Sequence, residues 1–239
     1  MFPQLGAPVG FFFSGSVFLV LSRVLSNEQF FAFGWRIPFL ASALLVLVGL
    51  YVRLTITETP VFQHALKSED RVSVPMFTVF RDHPVTLVAG TMASLATFVL
   101  FYLMTVFALS WGTTKLGYSR DTFLVIQLVG MLFFGAGIPA GALVAEKGRR
   151  RALMLVTVAI GLFGFVLAPI LASGIAGATT ATVLGLFLMG LTYGPLGTTL
   201  SELFPTTVRY TGSSLTFNLG GIFGASLADR KSTRLNSSH

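Results

Sequence analysis

The sequence predicts an all-α, polytopic membrane protein, and three observations lead to this fold class. Hydrophobic residues make up 54% of the chain and charged residues only 10%, whereas a soluble domain carries about 25% charged residues. Residues 84–114, 122–145 and 152–201 contain no Asp, Glu, Lys or Arg. Strict alternation of polar and apolar residues is absent, so these stretches are predicted to be helices rather than strands of a barrel.

Seven helices account for the apolar stretches. A helix needs roughly 20 residues to cross the hydrocarbon core of a bilayer. The uncharged run 152–201 is therefore long enough for two helices, with a tight turn at ASGIAGATT (172–180) between them. The predicted helices span roughly 4–22, 34–53, 84–109, 121–145, 152–172, 178–203 and 213–228.

The charges between the helices predict which ends face the cytoplasm. The loops after the second, fourth and sixth helices carry the larger set of cations: Arg53, Lys67, Arg71, Arg81, Lys147, Arg149, Arg150, Arg151 and Arg209. The opposite side carries Arg23, Arg36, Lys115 and Arg120. Because cytoplasmic loops are enriched in Lys and Arg, the larger set is predicted to lie inside. Membrane topology thus explains the net charge of +7, and no nucleic-acid partner is expected.

One long polar segment, residues 54–83, divides the chain. It is predicted to be a cytoplasmic loop between two helical bundles, with a surface helix around 61–68 as a candidate element. Residues 1–53 would end the first bundle and residues 84–228 would form most of the second. Two helices before the joint and five after it indicate an incomplete chain.

The last eleven residues differ abruptly from the helix before them. Their sequence, DRKSTRLNSSH (229–239), resembles the translation of a sequencing-library adapter. These residues are set aside as a non-native tail.

Four stretches carry a resemblance to a known family. They are PQLGAPVG (3–10), FGWRIPFLASALLVLVGLYVRLTITETPVF (33–62), GALVAEKGRR (141–150) and ELFPTTVRYTGSSLTFNLGGIFG (202–224). In this order they resemble the metabolite:H⁺ symporter family of the major facilitator superfamily, which includes proline/betaine, shikimate and α-ketoglutarate carriers. That family has twelve helices in two halves. The resemblance implies a partial fold that holds the fifth helix through part of the eleventh.

The resemblance also implies a function. We expect a secondary carrier of the bacterial inner membrane that moves a small metabolite, an organic acid or a zwitterion, with H⁺ by alternating access. A sugar porter or drug exporter of the superfamily is an alternative, and a non-transporting membrane fragment is another. The expected partners are the lipid bilayer and the small-molecule substrate. No acid lies mid-span, so the proton-coupling acid is expected in the preceding helices.

An enzymatic function is not expected. The sequence contains no HExxH, Walker A or GxSxG motif, so no catalytic constellation is available. It contains no cysteine, and neither a metal site nor a cofactor is predicted.

The loop GALVAEKGRR resembles the second copy of the family's G-x-x-x-D-[RK]-x-G-R-[RK] motif. The resemblance implies a cytoplasmic gate. Gly141 would allow close helix packing and Gly148 a sharp turn, while Arg149 and Arg150 would form ion pairs. A purely topological anchor is the alternative role for this arginine run.

The acidic position of the motif departs from the family pattern. Ala145 occupies it, and the acid stands beside it as Glu146. The gate on this half is therefore expected to be weakened or rearranged.

Glu202 is the predicted partner of the cations. It ends an otherwise uncharged helix just before Pro205, and an acid near a helix C-terminus is unfavourable with the helix dipole. A cationic partner is therefore expected. Arg209, Arg149 and Arg150 are the candidates, and a solvated interfacial acid is the alternative.

Polar residues within the spans are few, and four are candidates for a substrate cavity: Tyr102, Gln127, Tyr193 and Asn218. Each could instead form a hydrogen bond between helices. Within TYGPLG (192–197), Gly194 and Pro195 predict a kink that could act as a hinge. Three glycine pairs at four-residue spacing, Gly6/Gly10, Gly137/Gly141 and Gly220/Gly224, predict close helix packing.

Overall fold

Helices form every regular element of the described chain. The structure is a computed structural model that describes residues 2–55 and 75–236, with side chains for residues 3–55 and 76–226. Within these described residues, six helices are long and apolar enough to cross a membrane: Pro3–Val24, Gly34–Thr55, Pro84–Thr114, Arg120–Glu146, Arg149–Ala172 and Ile175–Glu202. The prediction of an all-α, polytopic membrane protein is confirmed.

The helices are numbered here in chain order. Helices α1 to α3 are Gly6–Val24, Asn27–Ala32 and Ile37–Thr55, and α4 to α6 are Pro75–Asp82, Pro84–Tyr102 and Ala108–Thr114. A π-helical segment, Leu103–Phe107, joins α5 to α6. Helices α7 to α10 are Arg120–Glu146, Arg149–Ala172, Ile175–Glu202 and Arg209–Asn236.

All seven predicted helices form, and most are longer than predicted. The third continues through the π-helical segment to Thr114. The seventh, α10, forms but is not among the six apolar spans, because Gly, Ser, Thr and Asn dilute its apolar residues. Its backbone continues as helix to Asn236, through most of the segment set aside as a tail. The candidate helix at 61–68 lies outside the described residues.

The turn between α8 and α9 is tighter than predicted. Helix α8 ends at Ala172 and α9 begins at Ile175. Gly174 between them has φ +101°, a conformation that residues with a Cβ rarely adopt. A two-residue connection keeps these helices adjacent and antiparallel.

Met1–Phe12 and Val74–His239 form the larger of two compact units. Helix α9 packs against α5, α7, α8 and α10 in this unit. The core includes Met104, Phe123 and Phe134, none more than 1% exposed. These large side chains fill the space among the helices that flank α9.

Two glycines let α7 and α9 approach backbone to backbone. A Cβ built on Gly137 would lie 2.6 Å from the carbonyl oxygen of Phe187, and one on Gly190 would lie 2.5 Å from that of Phe134. Real Cβ atoms essentially never come so close to other atoms. Since the obstacles are backbone atoms, a side chain could be accommodated only by separating the helices.

The same close approach continues toward the C-terminal ends of α7 and α9. A Cβ on Gly141 would overlap the backbone of Leu191, and one on Gly194 would overlap the backbone of Ile138. The glycine seam is defined here as Gly137, Gly141, Gly190 and Gly194. It confirms the close packing predicted for the Gly137/Gly141 pair.

The other two glycine pairs differ from each other. A Cβ on Gly224 would lie 2.7 Å from the Cβ of Phe98 in α5, and Gly220 packs against Ser94 of the same helix. Close packing is therefore confirmed for this pair. No described atom comes within 4 Å of a Cβ built on Gly6 or Gly10, so the described structure contains no close packing there.

The smaller unit, Phe13–Ser73, contains the rest of α1 with α2 and α3. Ser26 caps α2 by accepting a hydrogen bond from the backbone N–H of Gln29, whose side chain in turn accepts one from the N–H of Ser26. The ring of Phe18 contacts the rings of Phe30 and Phe39. Helix α3 has no buried residue among those described.

Candidate functional site

An ion pair links the start of α8 to the end of α9. Glycine at position 148 has φ +149°, and this conformation turns the chain sharply between α7 and α8. The turn brings Arg149, the first residue of α8, against Glu202, the last residue of α9. Nη1 of Arg149 donates a hydrogen bond to Oε2 of Glu202, and both side chains are partly open to solvent.

Both charges stand at unfavourable ends of their own helices. Arg149 lies at the N-terminus of α8, where the helix dipole is positive, and Glu202 lies at the C-terminus of α9, where it is negative. Each charge raises the free energy of its own helix, and pairing offsets both effects. The unfavourable helix-end positions of both charges explain why Arg149 and Glu202 form an ion pair although both are partly exposed.

The other candidates for pairing with Glu202 lie elsewhere. Nε of Arg209 donates to the carbonyl oxygen of Phe204 at 3.3 Å. Arg150 is exposed and has no hydrogen-bond or ion-pair partner among the described residues. Of the three cations proposed for Glu202, the structure selects Arg149.

The departure at the acidic position of the loop motif has a structural consequence. Ala145 is 7% exposed and faces the packed interior, while Glu146 is exposed. The acid of this loop therefore lies on the exposed face of α7, one residue after the buried Ala145. Within the described part of the chain, Glu146 forms no ion pair.

Gly194 and Pro195 lie buried in α9, and Gly194 belongs to the glycine seam. Proline has no N–H, so the carbonyl of Leu191 loses its usual helical donor. Gly141 of α7 packs against that carbonyl. The hydroxyls of Thr198 and Thr199 donate to the carbonyl of Pro195 at 2.9 and 2.8 Å. The predicted hinge residues therefore lie where α9 lacks one backbone hydrogen bond and where α7 packs closely against it.

Tyr102 and Asn218, two of the four predicted cavity residues, line one cavity. It has a volume of about 460 Å³ and lies between α5 and α10. Phe98 and Phe217 form part of its wall, with their rings 4.9 Å apart in an edge-to-face arrangement. The Nδ2 group of Asn218 donates to the backbone carbonyl of Ser214 at 2.8 Å. The cavity therefore combines aromatic surface with one phenol and one amide.

Tyr193 lies next to this cavity without lining it. Its ring centroid is 6.4 Å from that of Phe217 and 5.6 Å from that of Phe134. The aromatic wall of the cavity thus connects through Tyr193 to the core between α7 and α9.

Gln127 is separate from the cavity and stabilises an irregular helical segment. It is 2% exposed, and its Nε2 donates to the carbonyls of Met104 and Thr105 at 3.0 and 2.7 Å. Both carbonyls belong to the π-helical segment, in which the regular hydrogen-bond pattern shifts by one residue. Both amide hydrogens are therefore used within the protein.

The sequence interpretation missed a buried polar row on α5. The hydroxyl of Thr97 donates to that of Thr192 in α9 at 2.9 Å, and the hydroxyl of Ser94 donates to the carbonyl of Thr216 in α10 at 3.1 Å. Thr91, Ser94 and Thr97 recur every three residues and are all buried. This spacing on one helix face was the available signal.

Comparison with known proteins identifies the family. The family model described as Major Facilitator Superfamily matches residues 3–228. The chain belongs to this superfamily. The partial facilitator fold expected from the motifs is thereby confirmed. The relatives that match this chain are named as transporters. The chain is therefore not an enzyme.

Several curated relatives are metabolite transporters. The inner membrane metabolite transport protein YhjE of Escherichia coli (strain K12) is 45% identical over 95% of this chain and 53% of its own length. A putative metabolite transport protein of Haemophilus influenzae is 40% identical over 99% of this chain and 57% of its own length. The proline/betaine transporter of Salmonella typhimurium is 28% identical over 90% of this chain and 45% of its own length.

This chain spans about half the length of these relatives. No solved structure gives a significant match. Together with the six apolar helices, the relatives identify a multi-pass protein of the bacterial inner membrane.

Proposed function

We propose that this chain forms part of a secondary carrier that moves a small organic acid or zwitterion together with H⁺. The Arg149–Glu202 ion pair carries the proposal, because it joins the start of α8 to the end of α9, and α9 is the helix that packs on α7 at the glycine seam. In this account the pair is a gate at the cation-rich end, which we place in the cytoplasm. Arg149 and Glu202 separate when the cavity opens to that side.

The strength of the ion pair suits a reversible gate. Exposed pairs contribute about 0.2–1 kcal/mol, which changes a two-state equilibrium by up to roughly fivefold. A much stronger contact would hold the carrier in one state. The hinge, Gly194 and Pro195, provides a point at which α9 can bend, and Gly194 also belongs to the glycine seam that holds α9 against α7.

The cavity supports a small polar substrate. The hydroxyl of Tyr102 and the amide of Asn218 can donate hydrogen bonds to a carboxylate, while Phe98 and Phe217 can contact an apolar or quaternary ammonium group. None of the described side chains that line the cavity is charged. We therefore propose that the charged partner of the substrate and the proton-coupling acid belong to helices outside this sequence.

Names of relatives narrow the choice of test substrates. One relative is a proline/betaine transporter and another a shikimate transporter. A zwitterion and an organic acid are therefore the two chemical classes to compare.

The test is uptake by a complete carrier that contains this sequence, reconstituted in proteoliposomes. Labelled betaine, proline and shikimate are supplied with and without an inward proton gradient, and we expect gradient-dependent uptake of at least one of them. E202Q should lower that uptake by up to about fivefold while membrane insertion stays normal. E28Q, which changes an exposed acid on α2, should leave uptake unchanged.

Two results would overturn parts of the proposal. Uptake that is unaffected by the proton gradient would contradict proton symport. Equal uptake by E202Q and the unmodified carrier would contradict the gate. Uptake of none of the three substrates by a correctly inserted carrier would favour the rival classes.

A further inference from the structure

A groove opens between the end of α7 and the start of α8, on a surface that the proposed transport mechanism does not use. Its volume is about 420 Å³, and it is lined chiefly by Leu143, Val144 and Leu155 with Lys147 and Arg151. All these residues belong to the larger unit. The groove therefore combines an apolar wall with two cations.

The two cations are available for a ligand. Lys147 and Arg151 are both exposed, and neither forms an ion pair or a side-chain hydrogen bond within the described chain. None of the described residues that line the groove is acidic. Arg149, by contrast, is already paired with Glu202.

The apolar wall is exposed in a region that faces the bilayer. Leu143, Val144 and Leu155 are 62%, 52% and 72% exposed, and they lie within the spans Arg120–Glu146 and Arg149–Ala172. Exposed leucines of this kind are stable against lipid chains and unfavourable against water.

Along the membrane normal, the cations and leucines of the groove follow the same order as the headgroup and acyl chains of a phospholipid. Leu143 precedes Lys147 by four residues in α7, and Leu155 follows Arg151 by four residues in α8. One helical turn therefore places each leucine about 6 Å deeper in the membrane than its cation. In a bilayer, this order would place the cations at the level of phosphate groups and the leucines at the level of acyl chains.

We propose that this groove binds an anionic phospholipid. Lys147 and Arg151 contact its phosphate, and an acyl chain lies along Leu143, Val144 and Leu155. The backbone N–H groups at the start of α8 add favourable potential, because Gly148 provides no side-chain cap. A free phosphate ion would use the cations and leave the apolar wall uncovered, so the lipid is the better occupant.

The test measures lipid binding to the full chain in detergent micelles by native mass spectrometry. Phosphatidylglycerol and phosphatidylethanolamine with identical acyl chains are compared, and the anionic lipid should bind at least tenfold more tightly, since each cation near an anionic headgroup contributes about a fivefold gain in affinity. K147Q/R151Q should remove this preference. R53Q/R150Q loses the same charge on the same predicted side of the membrane but leaves the groove intact, so it should keep the preference.

Further measurements separate the lipid from its headgroup and from loss of folding. Soluble glycerol phosphate should compete at least tenfold more weakly than phosphatidylglycerol, because it lacks acyl chains. K147R/R151K should retain binding, and far-ultraviolet circular dichroism checks the helix content of each variant. Equal binding of the two lipids to the unmodified chain would overturn the proposal. So would a retained preference in folded K147Q/R151Q, or equally strong competition by glycerol phosphate.

Discussion

Gly137 of α7 and Gly190 of α9 face each other so closely that a Cβ on Gly190 would lie 2.8 Å from the Cα of Gly137. G190A should therefore lower the free energy of unfolding by about 1–3 kcal/mol, as expected when a methyl group is forced into a packed contact. G161A is the matched control, because a Cβ on Gly161 of α8 meets no described atom within 4 Å. Unfolding in mixed detergent micelles measures both variants. Equal effects of the two would contradict the described contact.

Gln127 is predicted to be a structural residue rather than a substrate ligand. Q127L would leave the carbonyls of Met104 and Thr105 without their buried donor, so it should cost about 1–3 kcal/mol of stability. Q127E should also destabilise, since an ionised carboxylate cannot donate a hydrogen bond.

N218L is the control for Gln127, because the amide of Asn218 bonds only within its own helix, to Ser214. We expect its unfolding free energy to change by less than about 0.5 kcal/mol. A stable Q127L protein that has lost substrate affinity would instead show that Gln127 binds substrate.

The pair Arg149–Glu202 allows a double-mutant cycle. R149Q and E202Q should each leave one charge at an unfavourable helix end, whereas the double variant removes both. The coupling free energy should be about 0.2–1 kcal/mol. It should decrease with added salt, because partly exposed charges are screened. Additive effects of the two substitutions at low salt would exclude the interaction.

Thr97 is expected to help hold α5 against α9. T97V removes the hydroxyl that donates to Thr192, and hydrogen bonds between membrane helices contribute about 0.6 kcal/mol on average. Thr113 provides the comparison, because its hydroxyl bonds only carbonyls of its own turn of helix. T97V should be less stable than T113V, and the opposite order would contradict the proposed contribution.

Sequence alone predicted the helices well, because a bilayer imposes one strong constraint. An uncharged run of sufficient length has few alternatives to a spanning helix, and all seven predicted helices form. The ends of the helices were less predictable. Helix α6 ends at Thr114 rather than near residue 109, because no proline or charge interrupts the chain before Lys115.

The candidate site was only partly predictable. The charge of Glu202 at a helix C-terminus indicated a cationic partner, but choosing Arg149 required the turn at Gly148. Tyr102 and Asn218 are 116 positions apart in the sequence and share a cavity only because α5 packs on α10. Gln127 was indistinguishable from a ligand until the π-helical segment supplied its acceptors.

The proposed gate requires that the arginine run, residues 149–151, faces the cytoplasm. Single-cysteine labelling tests this orientation most directly. The chain has no cysteine, so R150C provides one reactive thiol beside the ion pair. A membrane-impermeant maleimide should label R150C in inside-out vesicles and leave it unlabelled in intact cells. Labelling in intact cells, with vesicles protected, would contradict a cytoplasmic gate.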